Sequence, residues 1–332
     1  MKSKASSVNQ VKDYNTELII NALKTVDSGT KNTVSQMTGL SIATCNTILN
    51  ELSEAKRVIE VECDVPAAGR PPKSYQFNAD FAHICCMYFT FENFNRVIHY
   101  TIVNLLGDNL ESQELEMDYI DSNTIITVIT DLMSNDSLIS KVSVGFEGYL
   151  KEGKIVSSGI PELLDCPLKQ ILIDQFGIEV HCDNDMNIIA LGLFRQLAPQ
   201  SKDPFVAIGL FKGRCPGAGT IVYQKIVKGM SNFAGEVMLL SGCGDDFWTD
   251  ISQHYEKAVS TAYQIVLSYI TTINPRTIVL TGLNASGDML KRIKDACSKH
   301  LHEEHIPELL FIENIKEYYI DGLFQKTVTY MD

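Results

Sequence analysis

Residues 30–57, TKNTVSQMTGLSIATCNTILNELSEAKR, decide how the chain is read. Their spacing predicts two short helices with a tight turn between them. Thr33, Val34, Met37 and Leu40 belong to the first helix and the turn, and Gly39 supplies the break. Ser41 is placed to cap the second helix, because a serine oxygen accepts from a free amide at a helix start. On that helix Ile42, Cys45, Ile48, Leu49 and Leu52 recur at helical spacing and form one apolar stripe. The opposite side carries Ala43, Thr44, Thr47 and Asn50, all small or polar. Such a helix can enter a DNA major groove. An ordinary amphipathic helical hairpin has the same pattern.

The next stretch favours the first reading. Residues 58–61 are β-prone, and residues 63–78 read CDVPAAGRPPKSYQFN. Two β-like runs flanking Gly-Arg-Pro-Pro-Lys make a wing whose prolines stiffen the turn and remove backbone donors. Arg70 and Lys73 then suit phosphate or minor-groove contact. A winged helix-turn-helix over residues 1–79 is expected.

A chain of 332 residues is long for one core. The net charge is −13, which by itself argues against nucleic acid. Its distribution matters more. Residues 1–79 carry a net +1 and residues 80–332 a net −14, so DNA contact belongs to the head, and dimerisation is needed to supplement its affinity. There are nine cysteines, none with CxxC spacing, and the first fifteen residues are polar. Reduced thiols, a cytoplasmic location and no membrane span are expected.

Residues 1–15 are expected to be mobile, and Leu18, Ile19, Ala22, Leu23 and Val26 to face the two helices from a preceding one. Beyond residue 83 the pattern becomes alternating strands and helices. Strands are predicted at 83–90, 97–105, 113–117, 141–146 and 178–182, with helices at 123–133, 163–176 and 188–197. A second series follows: strands at 205–210, 220–223, 277–281 and 309–313, with helices within 251–272, at 286–300 and at 322–330. The two halves share a pattern without repeating a sequence. A duplicated α/β body with a cleft between its lobes, residues 80–200 and 201–332, is the physical consequence.

These residues resemble the ROK family, which groups sugar-responsive repressors with sugar kinases. Asp183-Asn184-Asp185-Met186-Asn187 is similar to the family's Glu-Asn-Asp-Ala-Asn. Ala234-Gly235-Glu236 matches its Gly…Ala-Gly-Glu stretch, and Asn274-Pro275 with Ile278–Gly282 its late strand and turn. The resemblance also takes in the Gly69-Arg70-Pro71-Pro72-Lys73 wing of the repressor branch and residues 157–177. It implies a two-lobed actin-like, hexokinase-like (ribonuclease H-like) α/β body. It also implies that Asn184, Asp185 and Glu236 bind sugar hydroxyls, with Asp185 at the kinases' general-base position. A helix cap is the structural alternative for residues 183–187, and a packing corner for Ala-Gly-Glu.

The departures from the family point away from catalysis. The kinases' Asp-Gly-Gly-Thr-like phosphate turn is replaced by residues 88–94, YFTFENF, whose bulk and whose Glu92 would exclude phosphates. The second phosphate turn is interrupted by Phe211, Lys212 and Pro216, although Gly217 and Gly219 remain. ATP transfer needs both turns. The family's zinc ligands reduce to Cys243, with Met238 and Leu239 where a histidine is expected, so no metal and no cofactor are expected. His302 and His305 read as a solvated loop. Glu147, where the family commonly has proline, adds an acidic group near the cleft. A sugar-responsive DNA-binding regulator, a homodimer or higher oligomer with operator DNA and a sugar as partners, is the expectation. A sugar kinase carrying a DNA-binding head is the alternative.

Overall fold

The computed structural model describes residues 2–62, 73–92, 95–211, 214–241, 254–282 and 285–328. They form two compact units. The first holds Met1–His83 together with the turn Asn104–Asp108; the second holds Ile84–Val103 and Asn109–Asp332.

The first unit runs α1 (Lys2–Leu23), β1 (Gly29–Thr30), α2 (Lys31–Thr38), α3 (Ile42–Glu54), β2 (Val58–Val61) and β3 (Ser74–Phe77). Thr30 and Ser41 cap α2 and α3 by accepting from the Thr33 and Thr44 amides. Gly39 ends α2 at φ +72°, the left-handed conformation glycine adopts without a Cβ penalty. Ile19, Leu23, Val34, Cys45, Ile48, Leu49 and Leu52 pack with Val58, Tyr75 and Phe77 into one core. The strands pair antiparallel in the order β1-β3-β2.

Two expectations need correction. Helix α1 begins at Lys2, so residues 2–15 are helical backbone where the sequence reading placed no element. Ile42 leaves the apolar stripe and is 54% exposed, because it opens α3 on a turn with no core beneath it. Cys63 to Pro72, including Arg70, lie outside the described residues.

The second unit opens with β4 (His83–Glu92), β5 (Asn95–Val103), β6 (Asn109–Met117), α4 (Ser122–Asn135) and β7 (Ile139–Phe146). It continues with β8 (Leu150–Lys151), β9 (Lys154–Ile155), α5 (Leu168–Phe176), β10 (Glu179–Asn184) and α6 (Asp185–Leu197). The second half is β11 (Phe205–Gly209), β12 (Gly217–Val222), β13 (Lys225–Ile226), α7 (Met238–Ser241), α8 (Tyr255–Ile273), β14 (Thr277–Thr281), α9 (Gly287–Ser298), β15 (Glu308–Ile312) and α10 (Lys316–Val328).

The expected duplication is a duplication of topology. One sheet runs β10-β7-β4-β5-β6 and the other β13-β12-β11-β14-β15. In each, three antiparallel strands are followed by two more added beside the first. Helices α4 and α5 cover one sheet, α8 and α9 the other. The helix expected over residues 163–176 starts only at Leu168. The chain before it forms the β8–β9 hairpin and a short 3-10 turn, and Pro167 marks the helix start.

The halves exchange helices. Helix α6 packs on β11 and β12 of the other half's sheet, while α10 returns to β7 and crosses α6. This explains why α6 is buried from Asp185 through Phe194 with no polar face. The crossing is close because Gly192 and Gly322 face each other's backbones. A Cβ at Gly192 would lie 1.8 Å from the Tyr318 carbonyl oxygen, and one at Gly322 2.0 Å from that of Ile188. Gly217 and Gly219, expected in a phosphate turn, are strand residues instead. A Cβ at Gly219 would stand 2.1 Å from the Met186 carbonyl, so glycine here admits α6 to the sheet.

Gly192→Ala is expected to lower the unfolding free energy of the second unit by about 3 kcal/mol, since overpacking a rigid contact must move backbone. Denaturant titration followed by far-UV circular dichroism measures it.

Candidate functional site

Parallel strands β7 and β10 end together, with Asp183 beside Gly145 and Asn184 beside Phe146. Helix α6 starts at the next residue. The polar run 183–187 is therefore split between a strand end and a first helical turn. Asn184 caps that helix: its Oδ1 accepts from the Asn187 amide at 3.1 Å, and its Nδ2 donates to the Gly148 carbonyl at 2.6 Å. The cap ties the start of α6 to the loop after β7 and leaves the Asn184 amide one N–H and one lone pair.

The three carboxylates of this corner are treated differently. Asp183 is 5% exposed and accepts from the Asn184 amide and from Asn187 Nδ2. Lys228 stands 3.0 Å and the buried Lys326 3.4 Å from its Oδ2. Asp185 is 7% exposed and its Oδ1 accepts from the Met186 amide at 2.7 Å. Its Oδ2 accepts no hydrogen bond from a described residue and has Arg214 Nη1 at 3.7 Å. Glu147 Oε2 lies 3.4 Å from Arg214 Nε. The Arg214 guanidinium lies over the Phe211 ring at 5.7 Å.

Burial pushes the Asp185 carboxyl up to about 7; the charge of Glu147 adds to this and Arg214 opposes it. Burial and Glu147 also raise Glu236.

A cavity of about 400 Å³ opens at this point, lined by Glu147, Ser157, Asn184, Asp185, Arg214 and Glu236 among others. Glu236 is brought there by Gly235, whose φ of +104° and close approach to the Ala218 carbonyl exclude a Cβ. The structure thus gathers Asn184, Asp185 and Glu236, the three residues singled out from sequence, around one cavity. It adds Arg214, which sequence reading passed over as part of an interrupted turn. An arginine inside a glycine-rich stretch was the available signal.

A second cavity of about 300 Å³ shares Asp185, Phe211 and Arg214 with the first. Its other wall is a stack of three rings. Tyr88 lies between His99 at 4.4 Å and Tyr319 at 4.3 Å. His99 shares a 2.9 Å hydrogen bond with Thr90, and Lys316 pairs with Glu114 at 2.7 Å. Tyr319 sits against Gly145, where any Cβ would meet its hydroxyl at 2.4 Å. Of residues 88–94, Tyr88, Phe89 and Thr90 line this cavity, and Tyr319 joins them from the far end of the chain. Phe89 belongs both to the core of its own sheet and to the lining of this cavity. Lys212, Asn93 and Phe94 lie outside the described residues, as does Cys243.

His302 and His305 stand on an exposed 3-10 turn, 78% and 53% exposed. Among the described residues no group of three or more His, Cys, Asp or Glu is placed to hold a metal ion. No described helix is long and apolar enough to cross a membrane.

On α3, Ala43, Thr47 and Asn50 are exposed and Thr44 is half-buried. The Thr44 hydroxyl bonds Ser41, and that of Thr47 donates to the Ala43 carbonyl. The Asn50 amide makes no hydrogen bond to a described residue. Lys73, half exposed, pairs with Glu60 at 2.6 Å.

Comparison with known proteins adds the following. Residues 97–238 match the ROK family model. A xylose repressor of Caldicellulosiruptor bescii is 24% identical over 217 residues, 61% of this chain and 52% of that one. The Bacillus subtilis xylose repressor is 22% identical over 68% of this chain and 60% of its own. An uncharacterized protein of Clostridium perfringens is 31% identical over 157 residues, 44% of this chain and 52% of that one. The chain thus spans about half the length of the curated relatives it matches. A ROK family transcriptional regulator, a homologue of the E. coli MLC protein, superposes with a TM-score of 0.66 at 15% identity, over 94% of this chain and 96% of that one. A ROK hexokinase from Thermus thermophilus gives 0.58 at 18%, over 73% and 96%. At these identities the likeness establishes the fold: an actin-like, hexokinase-like α/β body.

The Asp185 carboxyl binds its proton more tightly folded than unfolded, where its ordinary value is 3.8. Its stabilising contribution is present below that value and is lost as pH rises through about 7. Urea midpoints should therefore fall between pH 5 and pH 8, and Asp185→Asn should flatten that slope.

Proposed function

We propose that this chain, which carries a ROK family domain over residues 97–238, is a DNA-binding transcriptional repressor whose body senses a small sugar without phosphorylating it. The observation that carries the reading is the Tyr319–Tyr88–His99 stack on one side of the cleft, set against an open, polar cavity on the other. Phosphates need free backbone amides and cations to hold them. Stacked rings supply neither, and the described cations nearby stand beside carboxylates, Arg214 at 3.4 Å from Glu147 and 3.7 Å from Asp185, Lys316 at 2.7 Å from Glu114.

The first unit is read as a winged helix-turn-helix, residues 1–79. Helix α3 is the recognition helix, offering Ala43, Thr44, Thr47 and Asn50 to base edges. The β2–β3 hairpin is the wing, with Arg70 and Lys73 on phosphates. The body lobes are residues 80–200 and 201–332. Asn184, Asp185 and Glu236 receive the sugar's hydroxyls, paired acceptors at rigid element ends. A homodimer places two heads on two half-sites.

Strands β5 and β6 join through Asn104–Asp108, which belongs to the first unit, where the Leu105 amide donates to the Ala79 carbonyl at 2.9 Å. A change in lobe angle on sugar binding is thereby passed along covalent strands to the head, altering operator affinity. The working place of such a protein is the cytoplasm.

Gel-shift titration against the DNA flanking its own gene tests the DNA reading. Asn50→Ala is expected to weaken binding roughly tenfold or more, the loss of one base contact costing about 1–3 kcal/mol. Unchanged affinity in the variant, or no specific shift by the parent, overturns it.

The second reading, a sugar kinase bearing a DNA-binding head, draws on Asp185, whose proton affinity near neutrality suits a general base. Coupled ADP-release assays with common hexoses and pentoses are expected to stay at background; turnover would replace the sensing reading.

A further inference from the structure

We propose that the ligand of the larger cavity is an unacetylated amino sugar whose ammonium group is received by Glu147, Asp185 and Glu236; this rests on the sugar-sensing reading above.

The cavity, about 400 Å³, is of small-molecule size. Among the described residues, three carboxylates line it against one guanidinium, Arg214. That cation is divided, 3.4 Å from Glu147 and 3.7 Å from Asp185, both long for a charge-assisted hydrogen bond. No described cation pairs with Glu236. Asp185, 7% exposed, lines the cavity, and no described residue donates a hydrogen bond to its Oδ2. Among the described residues the acceptors are in place and their donors are not. Glu147 raises the proton affinity of both Asp185 and Glu236, a sign that the three charges act on one another across the cavity.

Each sugar class meets this field differently. A neutral sugar can donate hydroxyl hydrogen bonds but leaves the repulsion standing. A phosphorylated or acidic sugar adds to it. An ammonium carries three donors and a positive charge, and it relieves the repulsion directly. N-acetylation removes that charge.

Isothermal titration of the full chain at pH 7.5 tests this with D-glucosamine, N-acetyl-D-glucosamine, D-glucose, D-xylose and D-glucosamine 6-phosphate. Glucosamine is expected to bind roughly tenfold or more tightly than glucose and its N-acetyl derivative, as one partly desolvated charge interaction allows. Glu147→Gln should bring the glucosamine-to-glucose ratio near one while glucose binding persists. Thermal unfolding checks that the variant is folded, and Glu147→Ala gives the same readout if it is not. Equal affinity for glucose and glucosamine, or preference for the acetylated or phosphorylated sugar, overturns the amino-sugar assignment and leaves sugar sensing intact. Binding of none of the five overturns both.

Discussion

The close passage of α6 across α10 is the constraint on which the body depends. Two glycines, Gly192 and Gly322, remove the side chains that would hold the backbones apart. The exchange of helices between the two sheets then becomes possible, because each helix buries itself on the other half's strands. The site follows from the same contact. Helix α6 begins at Asp185, and α10 carries Tyr319 one turn before Gly322. One crossing therefore sets both the carboxylate of the larger cavity and the ring that closes the smaller one. Gly145, where β7 ends, completes the arrangement by leaving room for the Tyr319 ring.

The same corner also shows how unequally charge compensation is shared among neighbouring carboxylates. Asp183 receives two amine cations and two hydrogen bonds, all from the protein. It joins β10, the segment after β13 and α10, and truncating it would leave Lys326 charged and buried. Asp185, two residues on, shares one distant guanidinium with Glu147. Neighbouring carboxylates thus differ in what they lack. Asp183 is held by two lysines although its Oδ2 accepts no hydrogen bond from a described residue, whereas Asp185 binds a proton near neutrality and, among the described residues, has a guanidinium 3.7 Å from its Oδ2.

Much of this was legible in local patterns. The caps at Thr30 and Ser41, the left-handed Gly39 and the stripe Cys45, Ile48, Leu49 and Leu52 follow from short-range geometry, and the first unit has them all. The repeated order of strands was visible as alternating periods, although the halves share no sequence. Where reading failed, context decided. Ile42 has the right spacing for the stripe and no core beneath its turn. Gly217 and Gly219 suggested a loop, yet they lie in a strand that α6 approaches too closely for a side chain. Tyr319 sits more than 200 residues from Tyr88, and no local signal links them.

By itself, the sequence determined which residues could serve. It supplied a capped helix pair, two α/β halves, and the polar pairs Asn184-Asp185 and Gly235-Glu236, because helix, strand and turn preferences act over a few residues. Only the tertiary structure decided which of these meet. Convergence of Glu147, Asp185, Arg214 and Glu236 on one cavity, and of Tyr88, His99 and Tyr319 on the next, depends on backbone approaches at Gly145, Gly192 and Gly322. Those are long-range packing events, and a charge or a ring acquires its role only from the neighbours that packing brings to it.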